Sequence, residues 1–352
     1  MSSKRKREYN QVKGSLFEVI IRLLLMKAGY MPIKPYGVRV RKSDGKVRGR
    51  GCWHDIDALG EYSFPLLYMY PIRLLAEAKC LKDPVGLPQV SNFVGALKDI
   101  SENYFIADKI SRDEMLRYKR YTDCGSFFSA NGYTDDAQKF ALAQGVFLVS
   151  YENNPILKRI LDPMYELIYL LDISVAANQK TIFCRWIEKK LKNNLQKSYS
   201  SKKFIPDQNR RPFYQKFKQV HKNLNSIRTS VIAMVAGKNT KFQYPLHMLS
   251  YDIIPENLFI ERGDHLFRIH YSRSPNGLIF RIVPREAEDV NFFVSLPSYI
   301  YTSYLSEGKM LDFKKHFLSR IELPAIIGGI RRILRLKLDE GWIEELEMRI
   351  RQ

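Results

Sequence analysis

Two domains are predicted for this chain: an amino-terminal α/β domain with a mixed sheet flanked by helices, and a carboxy-terminal α+β domain. Three observations predict them. The chain has 352 residues, more than one compact core usually needs. Its first 150 or so residues alternate helix-like and strand-like runs, whereas short β-prone runs separated by turn residues dominate beyond residue 228. Between them, from Arg185 to Arg228, thirteen Lys or Arg face two acids, Glu188 and Asp207, a local net of +11. The boundaries are placed at 1–155, 156–228 for a helical basic connector, and 229–352.

Taken in order, the first element is a helix over residues 14–29. Ser15 followed by Glu18 fits a capping box, the apolar positions after it are dense, and Gly29 stops it. Tyr36 to Arg41, a turn at Asp44-Gly45, and Cys52 to Gly60 read as an antiparallel hairpin with basic arms. Ile72 to Cys80 is apolar apart from Arg73, Glu77 and Lys79, as suits a central strand covered on both faces. A helix from Val85 to about Ala107 follows, with Val90, Phe93, Val94, Leu97 and Ile100 at helical spacing. Asp123 to Ala130 is a strand, Thr134 to Gln144 a capped helix broken by Gly145, and Val146 to Ser150 a further strand.

Asp162 to Leu195 is helical by composition. Strands are predicted at Ser230–Ala236, Leu258–Ile260, His265–Ser272, Leu278–Val283, Phe292–Leu296 and Ile330–Leu338, with a hairpin turn at Pro275-Asn276-Gly277. An amphipathic helix closes the chain from Gly341, where Trp342, Leu346 and Ile350 offer a contact for a second copy.

Composition narrows the function. The apolar fraction of 45% excludes a disordered chain. The longest apolar run, Leu16 to Met26, is interrupted by Glu18 and Arg22, so no membrane association is expected. Lys4 to Arg7 precede no small-residue cleavage site, and Cys52, Cys80, Cys124 and Cys184 form no CxxC pair. A reducing, cytoplasmic location is therefore expected. The formal net charge of +20 favours a polyanionic partner, nucleic acid first.

Chemistry concentrates at Glu77 and Lys79. Strand alternation sends both to one face, while Ala76, Ala78 and Cys80 point to the other. Burying these charges costs several kcal/mol per ion unless a metal and an anionic substrate compensate. Asp57, between Ile56 and Ala58, is expected on the same side as Glu77; Asp55 shares its parity and competes with it. His54 has two readings, a metal ligand or proton shuttle, and packing or hydrogen bonding beside Trp53. Glu18 likewise either serves the site or merely closes the capping box. The loop bearing Arg39, Arg41, Lys42, Lys46, Arg48 and Arg50 leads to Asp57 and is expected to touch phosphates. The aromatics of the basic stretch, Trp186, Tyr199, Phe204, Phe213, Tyr214 and Phe217, either stack on unpaired bases or pack inward.

Five segments in order carry a resemblance. They are Gly14-Ser15-Leu16-Phe17-Glu18 running to Ala28-Gly29-Tyr30, His54-Asp55-Ile56-Asp57-Ala58-Leu59-Gly60, Glu77-Ala78-Lys79, Gln89 with Phe93 and Gly95, and Phe127 to Thr134 followed by Ala137, Ala141 and Ala143. Over residues 10–152 the chain resembles the Mrr-type restriction endonucleases of the PD-(D/E)xK nuclease superfamily. The HDIDALG segment lacks the paired glycines common there, and the carboxy-terminal half matches no family.

The resemblance implies a restriction-endonuclease-like fold and hydrolysis of DNA phosphodiesters. Asp57 and Glu77, with the Ala78 carbonyl, would ligate Mg²⁺ or Mn²⁺, and Lys79 would stabilise the incoming hydroxide or the pentavalent phosphate. Glu18 would complete the outer shell, and Gln89 would orient the lysine or a water. DNA is the implied partner, with a homodimer or a defence-system subunit beside it. A nuclease of this fold acting on RNA or branched DNA, and a non-cleaving nucleic-acid-binding module, are the alternatives.

Overall fold

The computed structural model describes residues 3–33, 40–41, 44–63, 70–102, 120–192, 203–238, 243–256, 258, 263–274, 277–296, 298–306, 309–327 and 330–351. Helix α1 spans Ser3–Lys27, eleven residues earlier than its apolar stretch begins at Gly14. Lys4, Arg5, Lys6, Arg7 and Glu8 are good helix formers and extend it. Ser15 is therefore not an N-cap: its hydroxyl donates to the Gln11 carbonyl in mid-helix at 2.9 Å, so the capping-box role for Glu18 falls away. Gly29, at φ 91°, ends the helix in the left-handed conformation that glycine adopts most readily.

Strands β1 (Tyr30–Pro32), β2 (Val47–Arg48), β3 (Trp53–His54), β4 (Ala58–Tyr62) and β5 (Ile72–Lys79) follow, then α2 (Leu87–Ser101), β6 (Thr122–Ser129), α3 (Asp135–Ala143) and β7 (Phe147–Ser150). The main sheet has the order β1-β4-β5-β6-β7. It is mixed: β4 is antiparallel to β1 and β5, whereas β5, β6 and β7 run parallel. The expected long hairpin is smaller than its sequence run. β2 pairs with β3, Val47 also bridges Val40 across the Asp44-Gly45 turn, and the Cys52–Gly60 run breaks at Asp55–Asp57 before β4 joins the main sheet. Tyr36 to Arg39 lie outside the described residues.

On one face of β5, Leu74, Ala76 and Ala78 pack against α1; on the other, Leu75 meets Val90 and Phe93 of α2 and Ala137 and Ala141 of α3. Both faces are thus covered, which is why β5 reads as an apolar run.

Helices α4 (Pro155–Ile168), α5 (Ile173–Asn178), α6 (Lys180–Lys192) and α7 (Arg210–Ser226) come next. Their apolar faces join α1 in one core rather than forming a separate spacer. The aromatics of the basic stretch point inward: Trp186, Phe204, Phe213 and Phe217 are buried, and Trp186 lies 5.4 Å from Phe204 and 5.9 Å from Phe213 between ring centres. They do not present faces to nucleic acid. Tyr214 is partly buried on the same core, and Tyr199 lies outside the described residues.

The carboxy-terminal sheet, mostly antiparallel, closes into a barrel. Its strands are β8 (Thr229–Ala236), β9 (Gln243–Ser250), β10 (His265–Ser274), β11 (Gly277–Pro284), β12 (Phe292–Val294), β13 (Arg320–Ile327) and β14 (Ile330–Leu338), in the order β10-β11-β12-β9-β8-β13-β14. A parallel pairing of β10 with β14, Phe267 opposite Leu338, closes the ring. Phe267 and Ile269, Phe280 and Ile282, and Phe292 and Val294 alternate inward and fill it. Of the predicted strand Leu258–Ile260 only Leu258 is described, and Pro275-Asn276 of the predicted turn lie outside the described residues.

Helices α8 (Ser298–Ser306), α9 (Met310–Phe317) and α10 (Glu340–Arg351) complete the chain. On α10, Trp342 turns toward His270 and Lys314, Leu346 is half-buried, and Ile350 is exposed.

A buried network joins the barrel to the first sheet. Ser230 donates to the Leu24 carbonyl at 3.0 Å, so the Nε2–H of His247 must donate to Ser230 at 2.8 Å and Nδ1 accepts from Tyr151 at 2.5 Å. Burial pushes His247 down to about 3, which keeps it neutral. Among the described residues no helix is long and apolar enough to cross a membrane.

Candidate functional site

β5 runs past its antiparallel neighbour. β4 begins at Ala58, opposite Ala76, so the Ala78 N–H needs an acceptor, and the Asp57 carboxylate supplies one at 2.9 Å. Continuing the register places Asp57 across from Glu77, on the face shared with Leu59 and Leu75. Lys79 then bridges the two acids: its ammonium donates to Glu77 and lies 3.6 Å from Asp57. The three side chains named from the sequence converge at the end of a buried strand. Asp55, at the start of the same break, is exposed.

α1 closes the site from behind. Arg22 donates to the Asp57 carbonyl at 2.8 Å and pairs with Glu188 at 3.1 Å, which anchors the break between β3 and β4. Glu18, one turn earlier and buried, pairs with Lys180 of α6 at 2.9 Å. Lys180, Arg22 and Glu188 were not singled out in the sequence. Arg22 had a signal, its i,i+4 spacing from Glu18 on an apolar helix. Lys180 had none, because only the folding of α6 against α1 brings it there.

The electrostatics are uneven. Three carboxylates, Glu18, Asp57 and Glu77, lie around the ammonium groups of Lys79 and Lys180, while Glu188 takes both Arg22 and Lys192. Burial, then the charge of Asp57, push Glu77 up to about 7 despite Lys79. Burial, then Asp57, also raise Glu18 against the pull of Lys180. For Lys79 burial opposes the charge, but Asp57 and Glu77 outweigh it and hold the ammonium protonated. The carboxylates of Asp57 and Glu77 are hard oxygen donors. The proton that Glu77 retains near neutral pH marks a deficit of positive charge that a divalent cation would fill. The donor set therefore fits Mg²⁺ or Mn²⁺.

No family model and no curated protein matches the chain. The chain is similar to a solved structure titled "Crystal Structure of Protein of Unknown Function AF1548", with 15% identity over 50% of this chain and 97% of that one, at a TM-score of 0.27.

Other residues singled out in the sequence are placed differently. Gln89 sits in the first turn of α2, where its Oε1 is buried without a hydrogen-bond partner beside Gly86; it makes no bond to Lys79. Ala78 enters the site through its N–H. In the basic hairpin, Arg41 pairs with Asp44, and the guanidinium groups of Arg41 and Arg48 lie 5.1 and 5.7 Å from the Trp53 ring centre. Arg50 is exposed 3.9 Å from Glu102, and Lys46 is half-buried. Arg39 and Lys42 lie outside the described residues. His54 bonds to Asp99 at 2.6 Å and is not part of the Asp57 cluster.

Proposed function

We propose that this chain is a metal-dependent endodeoxyribonuclease of the restriction or anti-phage defence type, with a restriction-endonuclease-like amino-terminal domain similar to Mrr-type enzymes. One observation carries the reading: the Lys79 ammonium held between the Asp57 and Glu77 carboxylates at the end of a buried strand. A structural ion pair needs one acid per base. Here two carboxylates share one ammonium, and one of them is driven toward neutral pH.

Asp57 and Glu77, with the Ala78 carbonyl, would hold Mg²⁺ or Mn²⁺. When bound, the ion supplies a Lewis acid and neutralises phosphate charge. The protein's own groups do the remainder. The Ala78 N–H fixes the rotamer of Asp57. Lys79, a third exposed, keeps its proton and donates to a phosphate oxygen or to the attacking hydroxide. Lys180 pairs with Glu18 behind them. Arg41, Lys46, Arg48 and Arg50, on the segment leading to Asp57, supply contacts to the DNA backbone, in keeping with a net charge of +20. The barrel takes the role of target recognition, partner binding or sensing.

Plasmid cleavage tests this. Wild-type protein in Mg²⁺ should nick supercoiled plasmid, and Lys79→Ala should be slower by about 10³-fold while still binding DNA. Equal nicking by both proteins would assign the activity elsewhere. Binding without cleavage of any nucleic acid by the wild type would leave a non-cleaving module in its place.

A further inference from the structure

A second cluster of ligand-type side chains lies three residues before Asp57 and shares no atom with it. Cys52 Sγ stands 3.4 Å from His54 Nε2, and Asp99 Oδ2 stands 2.6 Å from the same nitrogen. The three donor atoms lie within 4.8 Å of one another. β3 supplies His54, the loop before it supplies Cys52, and α2 supplies Asp99 from across the chain.

The arrangement is built rather than incidental. Asp99 accepts the Gly51 N–H at 2.7 Å and the Cys52 N–H at 3.3 Å, and Arg50 N–H donates to the Asp99 carbonyl at 2.8 Å. Gly49 is buried directly against the cluster: a Cβ there would stand 2.0 Å from Asp99 Oδ2 and 2.9 Å from His54 Nε2. The β2–β3 turn thus leaves space for these donors only because residue 49 has no side chain.

The geometry speaks against a nucleophilic triad. A cysteine–histidine–aspartate relay needs the thiol on one ring nitrogen and the carboxylate on the other. Here both converge on Nε2, the nitrogen that a metal would share with them once its proton has moved to Nδ1. Thiolate, imidazole and carboxylate together form a mixed S/N/O set of the kind that takes Zn²⁺ with a fourth position left to solvent. Cys52 is exposed, so that position is open.

The geometry points to Cys52, His54 and Asp99 as a zinc site, separate from the oxygen-donor cluster at Asp57, which pins the β2–β3 hairpin to α2. On binding, Zn²⁺ replaces the Cys52 thiol proton and the Nε2 proton that His54 donates to Asp99. The thiol proton leaves to solvent, the ring proton moves to Nδ1 of the neutral imidazole, and no oxidant or reductant is needed. The clasp fixes the segment that carries Asp57 into the main sheet.

Co²⁺ as a spectroscopic stand-in tests this on the full-length, chelator-treated protein. One equivalent of Co²⁺ should give a thiolate-to-cobalt charge-transfer band that Zn²⁺ abolishes and excess Mg²⁺ leaves in place. Cys52→Ser should lose the band, and Asp99→Asn and Gly49→Ala should each weaken Co²⁺ binding by about tenfold or more. Asp57→Asn/Glu77→Gln should retain the band, which separates this site from the proposed nuclease centre. Absence of the band in wild type, or its survival in Cys52→Ser, overturns the assignment. Folding of each variant is checked by its circular dichroism, and Cys52→Ala gives a second variant without an oxygen donor.

Discussion

The two ends of β5 handle buried charge in opposite ways. At its start, Arg73 faces Asp123 across the parallel register, and the two meet through a pair of bonds at 2.5 and 2.6 Å. Arg73 also lies over the Tyr121 ring, 4.9 Å from its centre. One base meets one acid in matched geometry, and nothing is left for a ligand. At its finish, Lys79 is shared by Asp57 and Glu77 with Glu18 behind, and the charges do not balance. The first end is a device for stability. The second is costly to the fold unless something else binds there, which is what distinguishes a candidate site from a structural pair.

The sharpest way to break this contrast is at the Arg73 end. Arg73→Met should cost about 3–5 kcal/mol in denaturant unfolding, because Asp123 is left buried and unpaired. Arg73→Met/Asp123→Leu should recover most of that loss. A small effect of the single substitution would show that this pair is no more integral than an exposed one.

At the other end the sign reverses. Glu77 titrates near 4.3 when unfolded and at about 7 when folded. The folded chain therefore binds this proton more tightly, and the associated stability, complete below pH 4.3 or so, is lost as pH rises through 7. Glu77→Gln should stabilise the metal-free protein by about 3 kcal/mol at pH 8 and make little difference at pH 4. Unfolding curves at the two pH values measure this, and a Glu77→Gln variant that is less stable at pH 8 would make Glu77 a structural acid like Asp123. The smallest effect concerns Glu18 and Lys180. A double-mutant cycle with Glu18→Gln and Lys180→Met should return a coupling of about 1–2 kcal/mol, and zero coupling would remove Lys180 from the site.

Legibility followed the range of the interactions. Glu77 and Lys79 stood out because two charges interrupt an apolar strand, and period-2 alternation placed them on one face without further information. β9 and β13 are not legible in the sequence because Pro245 and Pro324 interrupt them, and a proline argues against a strand. Both are nevertheless held in register, Pro245 opposite Met234 and Pro324 opposite Ile333. The capping-box reading of Ser15 rested on a local motif that a longer helix overrode.

By itself, then, the chain's order of residues determined the mixed-sheet strand β5, the helices that cover it, and the identity of the acids and lysine at its end. Those are consequences of side-chain period and turn chemistry, which act over a few residues. Tertiary structure alone decided that the last sheet closes, since closure depends on β10 meeting β14, with Phe267 paired to Leu338 far along the chain. It also decided that the aromatics of the basic stretch face inward, that Lys180 neutralises Glu18, and that Asp99 meets Cys52 and His54. Each of these joins groups far apart in the chain, and only packing of apolar faces brings such groups within bonding distance.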